Sequence, residues 1–500
     1  GSAAKLKELI DYAHGKGLNV IMDMVPNHMG PDGDYLDKTG PYISGAGEFG
    51  NALNYEGPNN QYVRDWIVNA ALWWVNEFKV DGLRIDMTKY CDSDYLLQQI
   101  VREVNEHFPQ VFLIAEDGRE NNDAVTTYDT SLFDHKNAIN FIDIQINFIT
   151  QGVGYTTPNR IGFDSEWDFN LMQILKKAII EPGVNLLSDL DDRIKNSKHR
   201  VKYLMSHDEI GNWDGTRLIP KIITKELGLI TRINGDSDSQ KGQRAAQAGQ
   251  KLAELIVSDN FANISDEKLK AEEQSIGITD FIPKDALINA FNTAIAKHKL
   301  GFGTVMTIPG PKMYFQGDEA ADLSNFKFFR EFSYEAQKRA ESENFRNEII
   351  ARKGYDTTLE EAMRDSIVGR VQPKGMFENL QSQISNFCIH LKNIVSSSPA
   401  LTQGEIVSTY NDYQHNVHIH HVKYNGDEAL VIKNYGSGFH HSNYSYYGFP
   451  QEGVWREVFN SDAKRYGGSG YSNAARNDIT NMNQNLYLAP NSFIILRRVN

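Results

Sequence analysis

Short apolar stretches alternate with longer amphipathic ones along the first part of the chain, and this alternation restricts the fold more than any other feature. LNVIMDMV (18–25) is almost continuously apolar, as in a strand buried on both faces, and KVDGLRID (79–86) and QVFLIAED (110–117) are also interpreted as strands. The stretches between them, 60–78 and 93–108, place apolar residues at helical spacing. This order predicts parallel βα units, in either a closed barrel or an open α/β sheet.

Two later parts of the chain depart from this pattern. Residues 220–283 are charged and helical in period, with no strand signal, and we interpret them as an insertion. A solvated helical decoration is the favoured interpretation, and a lid is the alternative. From residue 404, short strands such as EIVSTY and NSFIILRRV alternate with turns, which predicts an antiparallel β-sandwich. The predicted domains are therefore 1–400, a barrel-type α/β domain with the insertion, and 404–500.

The composition restricts the partners and the location. A net charge of −14 argues against nucleic acid or an anionic membrane as the main partner. The two cysteines lie far apart, and we find neither a signal peptide nor an apolar run of about 18 residues. We therefore expect a cytoplasmic protein without nucleic-acid or membrane partners, and its oligomeric state stays open.

Four histidines fall close together in the C-terminal region: His415, His418, His420 and His421. Successive side chains along a strand point to opposite faces, so this spacing divides the four between the two faces. We expect no metal site there.

Three acidic residues end three predicted strands: Asp86 in DGLRID, Glu116 in FLIAED and Asp208 in YLMSHD. Carboxylates that converge on one sheet edge suit acetal cleavage, which needs one ionised carboxylate and one protonated carboxylic acid. Arg84 lies two residues before Asp86, so both side chains point the same way and the guanidinium favours an ionised nucleophile. The apolar residues before Glu116 favour a protonated general acid at that position.

The sequence resembles the α-amylase superfamily, glycoside hydrolase family 13, through four short motifs in that family's order: DMVPNH (23–28), GLRIDMTKY (82–90), LIAED (113–117) and YLMSHDEIGN (203–212). The resemblance implies a (β/α)8 barrel of the TIM type with a C-terminal antiparallel β-sandwich domain. The first barrel strands of the family have no counterpart in this sequence, so we expect it to be part of a longer protein.

The same resemblance implies roles for individual residues. The expected catalytic residues are the nucleophile Asp86, the acid/base Glu116 and the transition-state stabiliser Asp208. The expected substrate-binding residues are His28, Arg84 and His207. Structural support is expected from Asp23 and Asn27.

The sequence around the motifs is similar to two subgroups of the superfamily. FGNALNYEG (49–57) and HDEIGNWDGTRL (207–218) are similar to maltooligosyltrehalose trehalohydrolases, and the first also to glycogen branching enzymes. GVWREVFNSDAKRYGGSGYSN (453–473) is similar to the C-terminal domain of branching enzymes. Lys89 is expected either at the acceptor sugar or on the surface. Trp213 is expected either to stack on a sugar ring or to pack beneath the insertion.

The resemblance also bears on metals. Many amylases bind calcium through the asparagine that matches Asn27, but the two subgroups generally do without it. We therefore expect neither a cofactor nor a metal ion.

The function implied is that of a retaining α-glucan-active glycosidase or transglycosidase. Such an enzyme cleaves α-1,4-glucosidic bonds through a covalent glycosyl-enzyme, and the subgroups point to the branching-enzyme or trehalohydrolase type in storage-glucan metabolism. An α-amylase-type endo-hydrolase is the nearest alternative. A non-catalytic glycan-binding barrel, or an inactive fragment, is the alternative from another class.

Overall fold

The computed structural model describes residues 2–30, 35–47, 49–91, 93–118, 161–198, 200–213, 215–235, 237–258, 261–323, 380–442, 453–473, 479–480 and 486–499. The chain divides into two compact units. The first unit comprises Gly1–Phe169 with His199–Val201, and the second comprises Asn170–Lys198 with Lys202–Asn500. In the described part of the chain, no helix is both long and apolar enough to cross a membrane.

The first unit contains strands and helices in alternation. Its strands are β1 (Ile21–Met24), β2 (His28–Met29), β3 (Ile43–Ala46), β4 (Asn51–Leu53), β5 (Gly82–Ile85), β6 (Phe112–Ala115), β7 (Ser165–Trp167) and β8 (Arg200–Val201). Its helices are α1 (Ala3–Gly15), α2 (Leu36–Thr39), α3 (Asn60–Phe78) and α4 (Asp94–His107), with a 3₁₀ turn at Thr88–Tyr90.

Five of these strands form one parallel sheet in the order β1-β5-β6-β7-β8. The strands β2, β4 and β3 form a separate small antiparallel sheet. The three apolar stretches at the start of the sequence supply β1, β5 and β6, as predicted. Helices α3 and α4 bury their apolar faces through residues that recur at helical spacing, among them Val63, Ile67, Ala71, Leu97, Ile100 and Val104.

One sequence expectation differs from the structure at β1. The run LNVIMDMV predicts a strand buried on both faces, but Ile21 and Val25 are about half exposed. The reason is that β1 is the edge strand of the described sheet and pairs only with β5 there.

The second unit is helical before its β domain begins. Its main helices are α5 (Phe169–Ile180), α6 (Val184–Lys195), α7 (Leu218–Glu226), α8 (Asp238–Ile256), α9 (Asp266–Ser275), α10 (Lys284–Thr307), α11 (Leu380–Ser396) and α12 (Pro399–Gln403). Short turns lie at Glu209–Trp213 (π), Leu229–Thr231, Phe261–Asn263, Asp318–Ala320 and Lys464–Tyr466.

The strand predicted over VKYLMSHD is shorter than expected. Strand β8 ends at Val201, and the next residue, Lys202, makes only a parallel bridge to Lys312.

The predicted insertion, 220–283, is helical as expected but more deeply packed than its charged sequence suggests. Helix α8 carries its charges on one side and buries Ala245, Ala248, Leu252 and Ile256 on the other. These side chains belong to the same hydrophobic core as α7 and α10. The segment therefore contributes to the core of the second unit.

The C-terminal β domain is antiparallel. Its strands are β9 (Glu405–Asp412), β10 (Val417–Tyr424), β11 (Asp427–Asn434), β12 (His440–Ser442), β13 (Val454–Asn460), β14 (Ile479–Thr480), β15 (Leu486–Leu488) and β16 (Ser492–Val499). Six form a sheet in the order β14-β13-β16-β11-β10-β9, and β12 pairs with β15. One face buries a cluster that includes Ile419, Ile432, Trp455 and Leu496. These strands match the antiparallel domain predicted from residue 404 onward.

Candidate active site at the ends of parallel strands

The register of the parallel sheet places Asp86 and Glu116 next to each other. Ile85 of β5 pairs with Ala115 of β6, so the following residue of each strand lies at the same sheet edge. The amide of Glu116 donates to the carbonyl of Ile85 at 3.0 Å, and that of Asp86 donates to Met24 at 2.9 Å. The two predicted catalytic acids of the first unit therefore project from one edge.

Arg84 connects three carboxylates at this edge. Its Nη1 donates to Asp23 Oδ1 at 2.6 Å and to Asp86 Oδ1 at 2.8 Å, and its Nη2 donates to Glu116 Oε2. Burial alone would lower the pKa of Arg84, but the charges of Glu116, Asp23 and Asp86 outweigh it and raise that pKa. The guanidinium therefore stays protonated and holds the carboxylates together. We call these four residues the Arg84 cluster.

Exposure differs sharply among the three carboxylates. The side chain of Asp23 is 53% exposed, that of Asp86 18% and that of Glu116 only 2%. The sequence suggests an apolar surrounding for Glu116, but the structure adds the Arg84 guanidinium and the amide of Met87, which donates to Oε2 at 3.1 Å. Local sequence misses these contacts because both partners come from β5 and the turn after it.

Asn27 ties the end of β1 to Asp86. Its Nδ2 donates to the Asp86 carbonyl at 3.0 Å and to Asp86 Oδ2 at 2.7 Å, while its Oδ1 contacts His28 Nδ1. Both ends of the amide are thus used within the site. Among the described residues, no group of three or more His, Cys, Asp or Glu side chains is arranged to hold a metal ion.

Three aromatic residues, Trp167, Phe49 and Tyr90, lie at this site, although the sequence did not predict them there. The Arg84 guanidinium lies 4.5 Å from the ring centroid of Trp167, at the end of β7. Phe49 stands with its ring centroid 5.9 Å from that of His28 and 5.2 Å from that of Tyr90. No strand is predicted from the sequence around Trp167, and nothing in the sequence around Phe49 indicates its contacts with His28 and Tyr90.

His207 and Asp208 belong to the second unit, where they precede a π-helical turn. His207 Nε2 lies 3.5 Å from Asp208 Oδ2, and both side chains are about one-quarter exposed. Glu209 accepts hydrogen bonds from the amide and the hydroxyl of Ser206, both at 2.7 Å. Glu209 thus stabilises the turn, and Asp208 stays partly open to solvent.

Two predicted site residues are placed differently from the rest. Lys89 lies exposed in the 3₁₀ turn after β5, and its Nζ is 5.5 Å from the ring centroid of Tyr90. It makes no hydrogen bond to the Arg84 cluster among the described contacts. The side chain of Trp213 lies outside the described part of the structure.

Comparisons with known proteins agree with this fold. Residues 409–499 match the family described as alpha amylase, C-terminal all-beta domain. A malto-oligosyltrehalose trehalohydrolase of Rhizobium sp. strain M-11 is 42% identical over 88 residues, 17% of this chain and 15% of that protein. The 1,4-alpha-glucan branching enzyme GlgB of Corynebacterium glutamicum is 29% identical over 187 residues, 34% of this chain and 24% of that protein. The matches thus span less than one-quarter of each relative's length.

A solved structure extends the likeness to the whole chain. The alpha-amylase of Geobacillus thermoleovorans, complexed with acarbose, superposes with a TM-score of 0.57 at 14% identity and covers 100% of this chain and 81% of its own. The predicted fold class, a TIM-type barrel with a C-terminal all-β domain, is confirmed. The resemblance to the α-amylase superfamily stated from the four motifs is also confirmed.

Proposed function

We propose, on the premise that this chain has the fold and the C-terminal domain of the α-amylase superfamily, that it is a retaining α-glucan-active enzyme. Its reaction is cleavage of an α-1,4-glucosidic bond through a covalent glycosyl-enzyme. Its nearest type is that of the trehalohydrolases and branching enzymes, because the named relatives belong to those two groups.

The assigned roles follow from position and exposure. Asp86 Oδ attacks the anomeric carbon while Glu116 gives its proton to the departing glycosidic oxygen. Glu116 then takes a proton from the acceptor hydroxyl, which attacks the same carbon and releases Asp86. Asp208 is proposed as the transition-state stabiliser, and His28 and His207 are proposed to bind the reacting sugar, as the family resemblance implies.

The observation that carries the proposal is the single guanidinium shared by Asp86 and Glu116. Sharing one planar group keeps the two carboxyl groups close. That suits the separation of retaining enzymes, about 5–5.5 Å, better than that of inverting enzymes, about 6.5–9.5 Å.

Exposure distinguishes the proposed roles of the two acids. The side chain of Asp86 is 18% exposed, whereas that of Glu116 is 2% exposed and is the least exposed carboxyl group of the Arg84 cluster. We therefore assign attack on the anomeric carbon to Asp86 and proton donation to Glu116, as the family resemblance implies.

The first experiment separates the two acids. Glu116→Gln is incubated with maltosyl fluoride, whose fluoride departs without a proton, and the protein mass is measured. We expect a gain of one maltosyl group, because attack by Asp86 continues while the base for the second step is missing. Asp86→Asn should gain nothing, and Asp65→Asn, an exposed carboxylate on α3, should behave as the wild type. Turnover by Asp86→Asn at the wild-type rate would refute the nucleophile assignment.

The second experiment identifies the acceptor. Wild-type protein is incubated with amylose and with a trehalose-capped maltooligosaccharide, and the products are separated and their linkages determined. New α-1,6 linkages indicate branching, released trehalose indicates the trehalohydrolase type, and shortened linear chains indicate endo-hydrolysis. Glucan binding without any product would instead support a non-catalytic glycan-binding protein.

A further inference from the structure

The turn that follows the predicted nucleophile has an unusual backbone conformation. Met87 has a φ of +42°, in the left-handed region that side chains other than glycine adopt at a cost. That conformation aims the Met87 amide at Glu116 Oε2, 3.1 Å away. Strain of this kind, about 1–3 kcal/mol, persists only where the surroundings enforce it.

The residue after Met87 provides that enforcement. The Thr88 amide donates to the Glu116 carbonyl at 2.9 Å, and Thr88 Oγ1 lies 2.6 Å from Asp117 Oδ2 and 3.1 Å from the Glu116 carbonyl. Thr88 and Asp117 are both almost fully buried. A hydroxyl donates one proton, and the shorter distance identifies Asp117 as its principal acceptor.

These contacts join Thr88, two residues after the nucleophile, to Asp117, the residue after the acid/base. Thr88 therefore binds the backbone carbonyl of Glu116, and the amide of the left-handed Met87, in the same turn, binds the Glu116 carboxyl oxygen. Neither Thr88 nor Asp117 has a part in the chemistry proposed above. A buried carboxylate adjacent to the catalytic acid would be costly if it had no such partner.

We propose that Thr88 and Asp117 are positioning residues, and that their hydrogen bond orients the Glu116 carboxyl toward the departing glycosidic oxygen. This inference rests on the proposed function, because it assumes that Glu116 is the general acid. The Thr88–Asp117 contact controls proton donation and leaves attack by Asp86 unaffected.

The test compares two substrates whose leaving groups differ in their need for a proton. Cleavage of a maltooligosaccharide releases a sugar whose departing oxygen must be protonated. Cleavage of maltosyl fluoride releases fluoride, which departs without a proton. Thr88→Val removes the hydroxyl at nearly constant shape, and Thr88→Ser keeps it. Asp117→Leu removes the acceptor, and Asp117→Asn keeps an acceptor oxygen.

For Thr88→Val and Asp117→Leu we expect kcat on maltooligosaccharides to fall by about 10- to 100-fold, a fraction of the 10²–10⁴ that general acids supply. Glycosylation by maltosyl fluoride, followed as fluoride release in the first turnover, should change by less than about twofold. Thr88→Ser and Asp117→Asn should keep the wild-type ratio between the two substrates, and KM should stay constant throughout.

Equal losses on both substrates in Thr88→Val would overturn the inference, because damage to the fold slows both reactions alike. A rate unchanged on maltooligosaccharides would overturn it as well. Failure of the proposed function has a different signature, since Asp86→Asn would then keep its activity on both substrates.

Discussion

Two clusters of charged residues differ in their access to water, and their chemistry differs accordingly. The Arg84 cluster lies at the carboxyl ends of β1, β5 and β6 in the first unit. The second cluster lies in the second unit and comprises His418 and His420 of β10, Lys433 of β11 and Asp191 of α6; we call it the His418 cluster.

The His418 cluster is closed to solvent at its centre. His418 Nε2 lies 3.3 Å from Asp191 Oδ1, and Lys433 Nζ lies 2.9 Å from His420 Nδ1, whose Nε2 donates to the carbonyl of Thr307. Burial lowers the pKa of His418 to about 4, against the hydrogen bond of Asp191 that raises it. Burial also lowers the pKa of Lys433 well below its usual range. His418 is thus largely neutral at pH 7.

The comparison shows how access to water separates the two clusters. At the ends of their strands, Asp23 and Asp86 keep contact with water and with one guanidinium. In the second unit, His420 and Lys433 are fully buried, and burial lowers the pKa of both side chains. Charged groups at a partly open edge can serve a reaction, whereas polar groups in a closed core serve packing.

The largest expected effect comes from removing the guanidinium. Arg84→Lys keeps one positive charge but cannot contact three carboxylates at once. We expect kcat/KM on maltooligosaccharides to fall by about 100- to 1,000-fold, or about 3–4 kcal/mol of transition-state stabilisation. Lys433→Met serves as the comparison in the second cluster and should leave kcat/KM unchanged. Comparable losses in both variants would remove the functional distinction between the clusters.

Lys433→Met should instead change stability. Burial lowers the pKa of Lys433 in the folded chain, so the unfolded chain binds more protons between that lowered pKa and about 10.5. Stability should therefore rise as the pH increases toward 10. We expect Lys433→Met to raise the free energy of unfolding at pH 7, with a gain that shrinks toward pH 10. Urea unfolding at both pH values measures this, and a loss of stability at both would contradict it.

The next prediction concerns acid. His418 has a folded pKa below its unfolded value, so its contribution to stability is complete above pH 6.5 and is lost as the pH falls toward 4. His418→Gln keeps a donor for Asp191 but does not titrate. The variant should lose about 1 kcal/mol less stability per pH unit between pH 6.5 and 4.5 than the wild type does.

The charged groups that face His418 are not expected to produce this difference in the loss of stability per pH unit. Lys195 and Lys433 bring positive charge close to it, and burial of Asp191 raises the pKa of that carboxyl less than the bonds from His418, Lys195 and Thr409 lower it. Asp191 therefore titrates below this pH window. His107→Gln, an exposed histidine on α4, is the matched control, and an unchanged slope in His418→Gln would contradict the assignment.

The sequence predicted the local parts of both clusters and missed their long-range contacts. Apolar runs that end in acids identified the strand ends, and the two-residue spacing placed Arg84 beside Asp86. The contacts of Arg84 with Asp23 and Glu116 depend on the pairing of three strands, which no local pattern specifies. Alternation likewise divided the histidines correctly, since His418 and His420 face one side and His421 contacts Glu428 on the other. The partners Asp191 and Thr307, by contrast, come from distant helices.

The smallest effect is expected at the open side of the Arg84 cluster, a feature that the His418 cluster lacks. Phe49 is 46% exposed and contacts the rings of His28 and Tyr90, so it can stack on a sugar beside the site. We expect Phe49→Ala to raise KM for maltooligosaccharides about fivefold, or about 1 kcal/mol of binding, with kcat nearly constant. Phe49→Trp should keep KM near the wild-type value because an indole ring stacks as well. Phe439→Ala removes an exposed ring from the β domain and should leave KM unchanged. An equal rise of KM in both alanine variants would show that Phe49 does not bind the substrate.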